Sequence, residues 1–399
     1  MGTWPALDWE DQMWVPTEGT LSRRAHAELA GKYRSALTPE VAGVEPHLSA
    51  SAAARVGEAA VEMARFDAEA SSIFGDSEIA PITSVLLRSE SAASSQIEDL
   101  TVGARQLALA ELTGLGGEAS RNARTVSANV RAMRAALDLA DDISEASILT
   151  MHETLLHGQE RAMPGRYRDV PVWIGGRAPT EAAFVPPAPE RVAVSMADLV
   201  ALARRRQIPA LAHVALVHAH FETIHPFVDG NGRTGRALAQ SMLRGAGVTQ
   251  RITVPVSAGL LADTDGYFLA LGAYREGDLE PIILTFADAA ETAVANGRRL
   301  VGDLHDVRET WRERVTARRD AAVWRALDVV IGQPVVDVRH VQRTLGVSYP
   351  TAQGAIDALE DAGALSPSVV GRQRNRVWHA PEVLDSLDAF ASRAGRRRG

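Results

Sequence analysis

The sequence predicts a mostly α-helical protein, and three observations carry that expectation. Apolar residues recur at helical spacing over many long windows of the 399-residue chain, among them 81–98, 120–140, 209–224, 233–246 and 280–318. Ahead of residue 320 only one stretch, Val170-Pro171-Val172-Trp173-Ile174, alternates with the period of a strand. The hydrophobic share, 46%, suits a chain with folded cores, and the length allows two or three domains.

Taken in order, residues 1–79 read as an N-terminal helical arm or domain. Its start is mixed, with Trp4, Trp9 and Trp14 as apolar docking residues, and a helix follows over 50–70. Residues 80–300 form the expected core, with helices over 81–98, 120–140, 145–157, 189–205, 209–224 and 233–246 and the start of the 280–318 helix. Pro226 disfavours helical geometry at His225, so the 209–224 helix ends there. Gly175-Gly176 is a turn signal, which makes the alternating stretch one arm of a short hairpin, and Pro171 confines it to a sheet edge.

Residues 301–399 read as a linker helix and a separate module. Within it a helix over 321–330 is followed by a second over 338–345, capped by Asp337. Gly346-Val347-Ser348 turns the chain, and Ser348 caps a third helix to residue 362 with Pro350 in its first turn. Strands over 365–370 and 376–379 flank Gly371-Arg372-Gln373-Arg374-Asn375, an arrangement that resembles a winged helix-turn-helix.

The chemistry concentrates in His225-Pro226-Phe227-Val228-Asp229-Gly230-Asn231-Gly232-Arg233-Thr234-Gly235-Arg236. An imidazole at a helix-to-loop corner suits a general base that takes a proton from a hydroxyl. Asp229 is a hard oxygen ligand of the kind that holds Mg²⁺ while substrate phosphates supply further ligands. Gly230-Asn231-Gly232 opens the next helix, whose N-terminal N–H groups form an anion cradle. Arg233 and Arg236 carry forked donors that match phosphate oxygens. Together these residues read as a nucleoside triphosphate site.

This run resembles the signature of the Fic family, His-x-Phe-x-(Asp/Glu)-Gly-Asn-Gly-Arg-x-x-Arg, at every position. The resemblance implies a protein adenylyltransferase, moving AMP from Mg-ATP to a Ser, Thr or Tyr hydroxyl of a target protein or of itself. It implies His225 as the catalytic base, Asp229 as the Mg²⁺ ligand, and Gly230, Asn231 and Gly232 as the α- and β-phosphate cradle. Arg233 would be a further phosphate ligand, and Arg236 would hold the γ-phosphate.

Ser94-Ser95-Gln96-Ile97-Glu98-Asp99 is similar to the family's inhibitory-helix motif, (Ser/Thr)-x-x-x-Glu-(Gly/Asn). By that likeness Ser94 and Glu98 are inhibitory residues, and Glu98 pairs with Arg236 to block productive γ-phosphate binding. Asp99 departs from the usual Gly or Asn. Gly165 to Gly176, followed by Phe184-Val185-Pro186-Pro187, resembles the family's flap, in which Val170, Val172, Trp173 and Ile174 would align a target by strand addition. Tyr267-Phe268 is similar to a stretch near the adenine, which makes Tyr267 an ATP-binding residue, while Arg275 stands where many members have Asn.

Composition excludes several classes. The chain has no cysteine, so disulfide scaffolds, thiol catalysis and Cys-zinc sites are out. Its single lysine, Lys32, sits in neither a P-loop nor a kinase context. His213, His218, His220 and His225 spread over two helix faces, a poor match to a zinc site. With no signal-like start and no apolar run of membrane length, the expected location is the cytoplasm, without a membrane partner.

A net charge of -8 argues against a generally basic nucleic-acid binder. The C-terminal module nevertheless leaves two readings open. Contact with DNA would fall to Arg372, Arg374, Arg376, Arg393 and 396–398; the other reading is a protein partner or a homodimer. Two alternatives to adenylylation also stand: a Fic core with another phosphate donor or running in reverse to remove AMP, and a transcription regulator that senses nucleotide.

Overall fold

The computed structural model describes residues 4–16, 28–74, 79–113, 120–368 and 376–395. In chain order the elements are β1 (Asp8–Trp14), β2 (Gly31–Leu37), α1 (Ala50–Phe74), α2 (Ile79–Gln96), α3 (Ala104–Thr113), α4 (Arg121–Asp138) and α5 (Glu145–Leu155). There follow α6 (Val192–Ala203), α7 (Ala210–Ile224), α8 (Asn231–Gly245), α9 (Val256–Leu261), α10 (Thr264–Arg275) and α11 (Glu280–Arg314). The chain closes with α12 (Ala322–Gly332), β3 (Val335–Val336), α13 (Val338–Leu345), α14 (Tyr349–Asp361), β4 (Ser366–Ser368), β5 (Val377–His379) and α15 (Pro381–Ala394). The fold is therefore mostly helical, as the apolar periodicity predicts. No helix among the described residues is long and apolar enough to cross a membrane.

Two compact units divide the chain: Met1–Gly57 with Ala135–Gly245 and Asp265–Phe286, and Glu58–Arg134 with Ala246–Thr264 and Ala287–Gly399. In the first unit every residue from Leu211 to Ile224 is buried, so α7 is a central helix, covered on all sides, and α8 packs on it. The N-terminal arm, expected to be helical, begins instead as an antiparallel ribbon in which Asp8 faces Leu37 and Trp14 faces Gly31. The apolar pattern hid this, because Trp9, Met13 and Val15 stay exposed rather than marking a buried face. Ala36 N–H donates to Val185 O at 3.0 Å, and Trp9 meets Phe184 edge-on with ring centroids 6.0 Å apart.

The second unit surrounds α2. Glu90, buried, accepts from Ser257 N–H at 2.8 Å and Ser257 Oγ at 2.6 Å, and Asn129 Nδ2 donates to Ser91 O and Ser95 Oγ. Arg88 donates from Nε to Glu111 and from Nη2 to Gly332 O and Gln333 Oε1. Helix α2 ends with paired bonds, Leu100 N–H to Ser95 O and Asp99 N–H to Gln96 O, and Asp99 adopts φ 60°. That is a Schellman cap, and it requires a left-handed residue of the kind that Gly, Asn or Asp supplies. Asp99 thus ends the helix as Gly or Asn would.

Further along, Asp337 caps α13 through His340 N–H and Ser348 caps α14 through Thr351 N–H. The strand order is β3-β5-β4, all antiparallel. Trp378, buried on β5, donates to Glu360 of α14 at 2.7 Å. Arg372, Arg374 and residues 396–398 lie outside the described residues.

Candidate active site

Helix α7 ends because His225 leaves helical geometry. Its backbone is left-handed, φ 50° and ψ 61°, while its N–H still reaches Phe221 O at 2.9 Å. A side-chain-bearing residue in that conformation costs about 1–2 kcal/mol, so neighbouring bonds must hold it. Arg168 supplies them. Its N–H donates to Pro226 O at 3.0 Å, its Nε to His225 O at 2.8 Å and its Nη2 to Pro187 O at 2.6 Å. Burial lowers the Arg168 pKa to about 10, which leaves it charged at neutral pH.

The loop that follows is closed by a side chain. Asn231 Oδ1 accepts from Phe227 N–H at 2.8 Å and Asn231 Nδ2 donates to Phe227 O at 2.9 Å. His152 of α5 stacks on the Phe227 ring, centroids 3.6 Å apart and nearly parallel. Gly165 N–H donates to His152 Nδ1 at 3.0 Å, so the ring proton sits on Nε2 and points at Asp229 O, also 3.0 Å away. Gly230 has φ 77°, and a Cβ there would come within 3.0 Å of Leu155, so both conformation and space call for glycine.

Asp229 stands at the surface of this loop with its side chain 55% exposed. Its Oδ1 accepts from Gly230 N–H at 2.6 Å and from Arg233 Nη2 at 3.1 Å; its Oδ2 engages neither. Arg233 and Arg236, each 3% exposed, lie in the first two turns of α8, beside Gly232 and the helix N-terminus. Among the described residues no cluster of three or more His, Cys, Asp or Glu forms a metal cage. A Mg²⁺ ion at Asp229 Oδ2 would take its other ligands from phosphate and water, which is the usual habit of that ion.

The flap differs from the expected hairpin. A single bridge, Ile174 to Phe184, replaces a strand pair, with Ile174 N–H donating to Phe184 O at 2.8 Å and Ala183 N–H to Ile174 O at 2.9 Å. Pro171, Pro186 and Pro187 lack the N–H groups that a longer ladder needs. Val170 is exposed, Val172, Trp173 and Ile174 are half-buried, and Trp173 meets Trp14 of β1 with ring centroids 5.4 Å apart.

Tyr267 is 1% exposed with its hydroxyl 2.7 Å from His218 Nε2, so the solvent-facing ring of that pair is Phe268. The other helix histidines have separate partners: His213 reaches Leu202 O and His220 meets Tyr274. Ser94, buried, and Glu98, half-buried at the cap of α2, belong to the second unit. His152 and Arg168 carried no sequence signal of their roles, since neither lies within the loop it braces.

The Fic/DOC family description matches residues 142–243, which hold the whole corner from His152 to Arg236. Residues 142–243 are a Fic domain. The chain is 31% identical over 158 residues to a protein adenylyltransferase Fic of Drosophila grimshawi and 29% identical over 157 residues to protein adenylyltransferase fic-1 of Caenorhabditis elegans. These matches take in 38% and 39% of the chain but only 29% and 28% of the relatives' lengths. A Fic family protein from Desulfovibrio desulfuricans G20 superposes with a TM-score of 0.54 at 23% identity, over 86% of this chain and 98% of that one, which places the Fic domain in the same fold.

Three buried histidines of the first unit give a pH prediction. Burial lowers the pKa of His152 to about 4, of His218 to about 3 and of His220 to about 4, against 6.5 in an unfolded chain. Between those values the unfolded chain binds protons that the native state refuses. Stability is therefore full above about pH 6.5 and falls as pH drops toward 4, by up to about 1.4 kcal/mol per pH unit for each histidine. Urea denaturation at pH 7 and pH 5 measures this, and equal midpoints would contradict it.

Proposed function

We propose that the chain transfers AMP from Mg-ATP to a Ser, Thr or Tyr hydroxyl of a target protein or of itself, and that Glu98 holds this activity down. The observation that carries the reading is the corner itself. A base at a helix end, an exposed carboxylate, a helix N-terminus and two buried arginines stand within one twelve-residue run braced by His152 and Arg168. The names of the two relatives support the same chemistry.

In this mechanism His225 takes the proton of the target hydroxyl as its oxygen bonds to the α-phosphorus. The bond from that phosphorus to the oxygen bridging the β-phosphate breaks, and pyrophosphate leaves. The N-terminal N–H groups of α8 and Arg233 hold the α- and β-phosphates, and Arg236 holds the γ-phosphate. Magnesium bound at Asp229 would neutralise triphosphate charge. The stretch from Val170 to Ile174 is the edge along which a target strand lies.

Intact mass after incubation with Mg-ATP, paired with ATP labelled at either the α- or the γ-phosphate, tests the reading. One added AMP with retained α-label is expected; γ-label on protein would instead mean phosphorylation. Replacing Asp229 with Ala is expected to raise the magnesium concentration for half-maximal rate by at least about tenfold. A magnesium titration of both proteins checks it, and superimposable curves would place the metal elsewhere.

We further propose that α12 to β5 form a winged-helix module whose partner is a protein. Its α14 carries Asp357, Glu360 and Asp361, charges that repel a phosphate backbone. A mobility-shift assay with duplex DNA in low salt is expected to show no complex. A complex that weakens steeply with salt would favour DNA.

A further inference from the structure

We infer that Glu222 is a positioning residue for His225. The inference rests on the reading of His225 as the base. Glu222 lies in the last turn of α7, buried, with Oε2 3.7 Å from His225 Nδ1. That separation is longer than a hydrogen bond, and such contacts often tighten once substrate is bound.

A buried carboxylate needs both room and a countercharge. Gly235 of α8 supplies the room, since a Cβ there would stand 3.2 Å from Glu222 Oε1 and 2.9 Å from the Phe221 ring. Arg275 acts on that carboxylate electrostatically. Its guanidinium carbon sits 3.6 Å over the centroid of the Phe184 ring, and Phe184 is the bridge partner of Ile174 in the flap. Burial lowers the Arg275 pKa to about 10, and the Glu222 carboxylate is the foremost group acting against that fall.

The chemistry gives this arrangement a purpose beyond packing. A carboxylate facing Nδ1 keeps the ring proton on that nitrogen, which leaves the Nε2 lone pair to accept from the target hydroxyl. When Nε2 is protonated, the resulting imidazolium faces a negative charge. An Asp that orients a catalytic imidazole acts in the same two ways.

The test uses the full chain and its Glu98→Gly form, with initial rates of AMP incorporation measured against ATP concentration. Glu222→Ala is expected to lower kcat about 10- to 100-fold, below the loss from removing a base outright, with KM for ATP within about twofold. Glu222→Gln, the same shape with an acceptor but no charge, is expected to recover part of that loss. Gly235→Ala, which crowds Glu222 without deleting it, should lower kcat in the same manner. If Glu222→Ala does not fold, the Gln form decides. Unchanged kcat in Glu222→Gln and Gly235→Ala, or a fall in kcat matched by a rise in KM, overturns the inference. No label in the Glu98→Gly parent would overturn the transferase reading instead.

Discussion

Replacing His225 with Ala is expected to cut AMP transfer by about 10² to 10⁴ while leaving ATP affinity within about twofold. In the proposed mechanism the base acts only in the chemical step, whereas the phosphates are held by the N-terminus of α8 and by Arg233 and Arg236. A loss confined to the transition state lowers kcat and leaves ground-state binding alone. The corner should survive the substitution, because Arg168 holds it through the carbonyls of His225, Pro226 and Pro187, all of which alanine leaves in place. Single-turnover incorporation from α-labelled ATP and an equilibrium ATP titration check the two halves separately. An unchanged rate would remove His225 from the chemistry. Lost ATP binding would make it a structural residue.

The corner was legible in the sequence because its determinants are local. Pro226 stops α7, Gly230 provides the turn, and the apolar stripe beyond Arg236 restarts the helix, all within one short run. The caps Asp337 and Ser348 were readable for the same reason, since each side chain bonds a backbone N–H three residues on. What the sequence hid is long in range. His152 reaches across 77 residues to Asp229 O, and Arg168 across 57 to His225 O, and no spacing rule connects them. The Asn231 side chain was equally hidden. Its backbone lies in the expected phosphate cradle, but its amide is spent clamping Phe227.

The strand misreadings have physical causes as well. Alternation at 170–174 describes an extended chain faithfully, yet prolines limit it to one bridge. The β1–β2 ribbon was missed because its more buried face carries the polar Glu10, Gln12 and Ser35 while Trp9 and Met13 face outward, so hydrophobicity does not mark the strands. Helices α3, α9, α10 and α15 were passed over. The short α9 spans only six residues, too few for periodicity to register, and α3 has few buried positions.

The C-terminal elements also proved less separable than their sequence suggests. Arg88 of α2 is gripped by Gly332 and Gln333, Gln333 Nε2 donates to Ala108 O of α3, and Asp388 of α15 accepts from Ala104 N–H. The segment between α2 and α3, which carries Glu98, is therefore flanked by helices that the C-terminal elements hold. Removing those elements would strip partners from α2, so point substitution is the cleaner way to probe Glu98.

Replacing Glu98 with Gly is expected to raise self- or target-labelling by at least about tenfold, the equivalent of about 1.4 kcal/mol in barrier. By the family resemblance, Glu98 would occupy the donors of Arg236 and set a negative charge where the γ-phosphate must lie, so ATP would bind with its α-phosphate out of line for attack. The substitution should not unravel the helix end, because the left-handed cap residue is Asp99 and the bonds from Leu100 and Asp99 N–H go to the carbonyls of Ser95 and Gln96. A Glu with only a surface role would change little on substitution. The gain should also depend on Arg236, which must hold the γ-phosphate once it is released. Incorporation from α-labelled ATP is compared in the unaltered chain, in Glu98→Gly and in Glu98→Gly/Arg236→Ala. Equal labelling of the first two removes auto-inhibition by Glu98, and full labelling of the third removes Arg236 as the γ-phosphate ligand.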